Sequence, residues 1–186
     1  MIAFPVALTL ARLILGPLAL WLAWHDAPRQ VYAYVLVGGL LSDYFDGALA
    51  RRLGVARPWL RRLDSTVDIV FYLAIAAVAY RLEGATVVAA AAAVALLVGS
   101  ELVCIAASLI KFRSLPGTHS YSAKVYGVAL FVCCLGVLCY GWGPWALWLL
   151  CAFGLVANGE SLAIILLSRE APIDVPTVIV LLRRPA

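Results

Sequence analysis

A chain of 186 residues in which 65% of positions are hydrophobic and 13% charged is not a water-soluble globular domain, because such domains are about 45–50% apolar and about 25% charged. With a mean hydropathy of +1.02 the chain requires lipid around it. At about 20 residues per crossing, six spans use nearly its whole length. The net charge of +4 is strung between apolar runs rather than gathered on one surface, which argues against a nucleic-acid partner and for the positive-inside bias of a membrane protein.

In chain order, apolar segments fall at roughly 3–24, 31–50, 64–81, 85–110, 124–142 and 145–168. The first carries no basic region ahead of it and no small-residue cleavage site, so it reads as a retained span rather than a signal peptide. The breaks are His25 to Arg29, the basic stretch Arg51 to Arg62, Arg81-Leu82-Glu83-Gly84, Lys111 to Lys124, and Gly141 to Pro144. The predicted architecture is all-α, a polytopic membrane protein with six transmembrane helices over residues 1–170. A short tail, 171–186, contains the run Val178 to Leu182, which is too short to span. Five cysteines, Cys104, Cys133, Cys134, Cys139 and Cys151, sit inside apolar runs with no C-x-x-C spacing. They read as small packing residues.

Placing the Arg51–Arg62 loop in the cytoplasm puts eleven Lys and Arg on that side, against Arg29 and Arg81 on the other and Arg12 within the first span. That asymmetry predicts both termini in the cytoplasm. Trp21, Trp24, Trp142, Trp145 and Trp148 then form an aromatic belt at the outer boundary.

Four of the ten acidic residues, Asp43, Asp46, Asp64 and Asp68, lie near the cytoplasmic ends of segments two and three. An Asp at mid-span costs about 2.5–3.5 kcal/mol to insert even on the mildest scale, so four together need a common reason. Asp43 and Asp46 are i, i+3 on one helix and Asp64 and Asp68 are i, i+4 on the next, so each pair shares a face. Opposed, the two faces make an all-oxygen cage suited to Mg²⁺ or Mn²⁺. Snorkelling to the interface with pairing to Arg51, Arg52, Arg61 and Arg62 is the structural alternative. A cage of this kind could also carry protons or cations, but the run Ile69 to Leu73 beyond Asp68 offers an ion little path.

The residues between the aspartates narrow the choice. Asp43-Tyr-Phe-Asp46-Gly47-Ala48-Leu49-Ala50-Arg51, eight residues, then Leu60-x-x-x-Asp64-x-x-x-Asp68 resembles the CDP-alcohol phosphotransferase signature D-x-x-D-G-x-x-A-R-x8-G-x-x-x-D-x-x-x-D. Only Leu60 departs from it, standing where the family has its second glycine. In the first span, Pro5-Val6-Ala7-Leu8-Thr9-Leu10-Ala11-Arg12 is similar to the family's P-N-x-L-T-x-x-R opening, with Val6 in place of Asn.

The resemblance implies an integral membrane enzyme that moves a phosphoalcohol, commonly phosphatidyl, group from a CDP-alcohol such as CDP-diacylglycerol to an acceptor hydroxyl and releases CMP. It implies two divalent ions, Mg²⁺ or Mn²⁺, held by Asp43, Asp46, Asp64 and Asp68, with Asp68 also the catalytic base. Gly47, Ala50 and Arg51 would face the nucleotide donor. Arg12, Lys111, Arg113 and Lys124 are candidates for binding a small alcohol or sugar-phosphate acceptor. Lys124 sits where the family's fifth span commonly has a lysine, although Ala123 stands where many members have Gly; headgroup anchoring is the alternative for Lys111 and Arg113. A homodimer, and a bacterial inner or plasma membrane with the active site facing the cytoplasm, complete the expectation. Leu60 adds bulk on a face expected to admit the donor, which implies a turned helix, an altered donor pose, or a chain that keeps its cage without ordinary CDP-alcohol chemistry. Asn158 and Glu160 are intramembrane polar groups with either a functional role or a bond across helices open to them.

Overall fold

A computed structural model describes residues 3–52, 58–115, 120–172 and 175–182. Seven helices follow in order: α1 (Ala3–Trp24), α2 (Gln30–Arg52), α3 (Pro58–Ala89), α4 (Ala91–Phe112), α5 (Tyr121–Tyr140), α6 (Pro144–Leu167) and the short α7 (Val178–Leu182). There is no strand among the described residues, so the protein is all-α. Inside a bilayer this is the expected solution, since each helix satisfies its own backbone where no water can. Among the described residues five helices are long and apolar enough to cross: Val6–Trp24, Thr66–Ala89, Ala91–Phe112, Tyr121–Tyr140 and Pro144–Leu167. The sixth expected span corresponds to α2, which has 23 residues; Asp43, Asp46, Arg51 and Arg52 make its C-terminal part polar. Large apolar side chains such as Ile14, Leu73, Val128 and Val156 are exposed at mid-helix, an arrangement that only a hydrocarbon solvent stabilises.

The break expected at Arg81 to Gly84 is a kink rather than an open loop: two helical segments of α3 meet at Glu83 (φ −130°, ψ 40°), and the second runs on to Ala89. A further break follows at Ala90, whose φ of −105° and ψ of 18° separate α3 from α4. The polar residues at the kink are paired: Glu83 accepts from Arg29, and Arg81 Nη2 donates to Asp26 at 3.5 Å.

The chain divides into two compact units. The first comprises residues 1–85 and 134–142, and its helices meet through small residues. A Cβ at Gly16 of α1 would lie 3.2 Å from Cβ of Ala74 on α3, and one at Gly39 of α2 would lie 2.8 Å from Cζ of Phe71. Gly16 is one turn beyond Arg12, Gly39 one turn before Asp43, and Phe71 close to one turn beyond Asp68. The same glycine packing that lets three helices approach therefore also sets the separation of the acidic and basic side chains beside it.

The second unit comprises residues 86–133 and 143–186. Ala90, Ala93 and Cys151 form its buried centre, with Leu97 and Leu147 packed against them. Ser120 caps α5, accepting from the backbone N–H of Ala123 at 3.3 Å. Pro144 opens α6 at a position where its missing N–H costs nothing. The tail folds back on this unit: Tyr121 N–H donates to Pro176 O at 3.0 Å. All five cysteines are free thiols. Two of them donate to backbone carbonyls of α6, Cys104 to Asn158 and Cys133 to Ala146.

Candidate active site

The site lies within the first unit, on α1, α2 and α3. It begins with spacing. Thr9 and Arg12 are i, i+3 on α1 and point the same way, as do Asp43 and Asp46 on α2 and Asp64 and Asp68 on α3. All six side chains converge. Arg12, 1% exposed, reaches every aspartate. Its Nη1 donates to Asp43 Oδ1 at 3.1 Å and to Asp68 Oδ1, and its Nη2 donates to Asp46 Oδ2 at 2.5 Å and to Asp64 Oδ1. Thr9 Oγ1 donates to Asp46 Oδ2 at 2.9 Å. Beside it, Ser42 Oγ donates to Leu8 O at 2.5 Å and pins α2 to α1. The planar guanidinium suits this task, since its terminal nitrogens offer paired donors in a fixed fork.

The four carboxylates are not equivalent. Asp46 is buried, at 5% exposure, whereas Asp43, Asp64 and Asp68 are 49%, 34% and 35% exposed. One carboxylate is thus held inward by Thr9 and Arg12, and three form an open rim. Asp43, Asp64 and Asp68 each present an oxygen within 4.8 Å of the others, close to the roughly 4 Å across which two ligands of one Mg²⁺ stand. An all-carboxylate donor set selects hard cations. The residues present therefore fit a divalent ion.

The two aspartate pairs stand together, as their spacing predicts. Pairing with Arg51, Arg52, Arg61 and Arg62 is the alternative to a metal cage; the side chains at 51, 61 and 62 lie outside the described residues, and among the described residues Arg12 is the partner observed. The signal was the Thr9-x-x-Arg12 spacing: an arginine inside an apolar span must find anions within it, and Thr9 marks the face on which they lie. Gly47, Ala50 and Arg51 are on the last turns of α2, and Leu60 is on the first turn of α3. The side chains at 47, 50, 51 and 60 lie outside the described residues, as does His119.

Lys111, Arg113 and Lys124 belong to the second unit. Lys111 Nζ donates to the carbonyls of Ile165 at 3.1 Å and Leu166 at 2.7 Å, satisfying the free end of α6. Lys124 Nζ stands 5.3 Å from the Tyr121 ring centroid. Arg113 ends α4 in a left-handed conformation, φ 54°. Asn158 Nδ2 donates to Ser100 Oγ at 2.8 Å, so this residue bonds across α4 and α6. Glu160 accepts from Ser122, from Thr177 Oγ1 at 2.7 Å and from the Val178 N–H at 3.2 Å.

An all-α membrane protein with an open rim of carboxylates beside a buried arginine is equipped to hold a cation, and through it a phosphate group, at a bilayer. The family model for CDP-alcohol phosphatidyltransferase matches residues 2–156, and the chain belongs to that family. It is accordingly a membrane phosphotransferase of phospholipid synthesis, working between a CDP-alcohol donor and an alcohol acceptor. No curated protein and no solved structure matches the chain.

Proposed function

We propose that the protein transfers a phosphatidyl group from CDP-diacylglycerol to the hydroxyl of a small alcohol or sugar phosphate, releasing CMP, at the cytoplasmic face of the membrane. The observation that carries this reading is the rim of Asp43, Asp64 and Asp68, drawn from two helices and open on one side. With Asp46 these residues would hold two Mg²⁺ or Mn²⁺ ions. When bound, such ions neutralise the diphosphate and the charge that builds on its oxygens during transfer. The protein's own part is placement and proton transfer. Asp68 accepts the proton of the attacking hydroxyl, a role open to a carboxylate within hydrogen-bond reach of a weak nucleophile. Asp46, anchored by Thr9 and Arg12, keeps the α2 face in register with α3.

Gly47 and Ala50 leave the end of α2 without bulk where the nucleotide would lie, and Arg51 would pair with a donor phosphate. Arg12, Lys111, Arg113 and Lys124 remain the candidates for acceptor recognition; the capping bonds of Lys111 favour a structural share in its role. The working unit, by family resemblance, is a homodimer. Cation transport is less well supported, because the residues following Asp68 on α3 are apolar, with Ile69 and Leu73 exposed and Phe71 buried.

The test is CMP release from CDP-diacylglycerol by the purified protein with Mn²⁺ across a panel of alcohols and sugar phosphates, with the lipid product identified by mass spectrometry. A donor- and acceptor-dependent product supports the reading. Absence of CMP with every pair overturns it.

A further inference from the structure

Arg12 does more than neutralise. Among the described residues, four carboxylates and one guanidinium leave a formal charge of −3, so this arginine compensates the cluster only in part, and buried charge that is not compensated is costly. Its contacts also divide into two kinds. On the inner side is Asp46, buried and already held by Thr9. On the outer side are Asp43, Asp64 and Asp68, partly exposed. The outer oxygens that accept from Nη1 and Nη2 belong to the trio whose oxygens gather within 4.8 Å. A guanidinium seated among these carboxylates competes with a divalent cation, since both are positive and both draw on the lone pairs of the same three groups. The buried Nε, moreover, has no partner. A guanidinium bound only through its terminal nitrogens can swing about its stem without giving up an Nε bond.

We propose that Arg12 is a tethered cation that fills the Asp43–Asp64–Asp68 rim in the metal-free protein and, when divalent ions are taken up, draws back to Asp46 Oδ2, the oxygen that Thr9 also holds, leaving Asp46 Oδ1 to the metal. Arg12 is then a positioning residue that sets the threshold for metal binding. This inference rests on the metal reading above. Its physical content is competition: if the rim is vacated by Arg12 in only a small fraction of molecules, the apparent affinity for metal is weakened by that fraction.

Mn²⁺ binding to the purified full-length protein, followed by the electron paramagnetic resonance of free Mn²⁺, tests the competition. Arg12→Gln should bind Mn²⁺ about tenfold more tightly than wild type or better, while its metal-free form melts at a lower temperature and recovers further on adding Mn²⁺. Equal or weaker binding by folded Arg12→Gln overturns the inference and leaves the metal reading intact. Wild-type protein that binds no Mn²⁺ overturns the metal reading, and this inference with it. A second measurement avoids the risk that Arg12→Gln fails to fold. In wild-type protein labelled with ¹⁵N-arginine, the Arg12 side-chain resonance, assigned by its loss in Arg12→Lys, should move on saturation with Mg²⁺. A resonance that stays in place under Mg²⁺ overturns the displacement.

Discussion

Two carboxylate sites among the described residues, one of a single glutamate and one of four aspartates, are built on opposite principles. In the second unit, Glu160 alone accepts from two hydroxyls, those of Ser122 and Thr177, and from one backbone N–H, that of Val178. One anion meets several neutral donors, and the result is a closed latch holding the tail to α6. In the first unit, among the described residues, four aspartates share one guanidinium and one threonine hydroxyl. There the anions outnumber the side chains that donate to them, and three of the four are partly exposed. A saturated carboxylate in a membrane protein is structure, whereas a surplus of carboxylates with an open side is a place for something positive to enter.

That contrast can be broken most forcefully at Asp68. Asp68→Asn keeps the shape but removes the carboxylate proposed above as base and metal ligand, so CMP release should fall by about 10²–10⁴-fold, read as initial rate under saturating Mn²⁺. Loss of less than tenfold would place the base elsewhere. Removing divalent ions with a chelator should abolish turnover in the wild type and restore it on re-addition of Mn²⁺ or Mg²⁺. Glu160→Gln, by contrast, should leave both turnover and its metal requirement within about twofold, because no surplus charge is lost there.

A smaller effect is expected from the packing beneath the site. At Gly39→Ala the new Cβ would meet the Phe71 ring and force it aside, costing about 1–3 kcal/mol of stability. Since Phe71 is nearly one turn from Asp68, Mn²⁺ affinity should weaken as well; a stability loss with unchanged affinity would uncouple the packing from the rim. The smallest effect belongs to the latch. Glu160→Gln weakens charge-assisted bonds worth about 1.5–3 kcal/mol at most, and should appear as faster amide exchange at Val178 and easier proteolytic cleavage of the tail rather than as global unfolding.

Much of this was readable in the order of residues. The helices follow from long apolar runs, and the acidic pairs from i, i+3 and i, i+4 spacing, which fixes a shared face whatever the neighbours do. What was missed depends on which faces meet. The bonds from Arg12 to the four aspartates were not foreseen, because nothing local shows that its face turns toward α2 and α3. The marks of a loop at Arg81, Glu83 and Gly84 correspond to a kink at Glu83 within α3 rather than to an open connection. Their partners Asp26 and Arg29 lie more than 50 positions away, and long-range pairing of that kind leaves no trace in a local pattern. Gly16 and Gly39 read as ordinary small residues of a span, and only the neighbouring ring and methyl group show why bulk is excluded there.

The position of the acidic residues on α3 has one more implication. The apolar stretch of that helix begins at Thr66, two residues after Asp64 and two before Asp68, so the acidic turn straddles its edge. Charge placed at such an edge can be met from water by a charged group that never has to enter hydrocarbon.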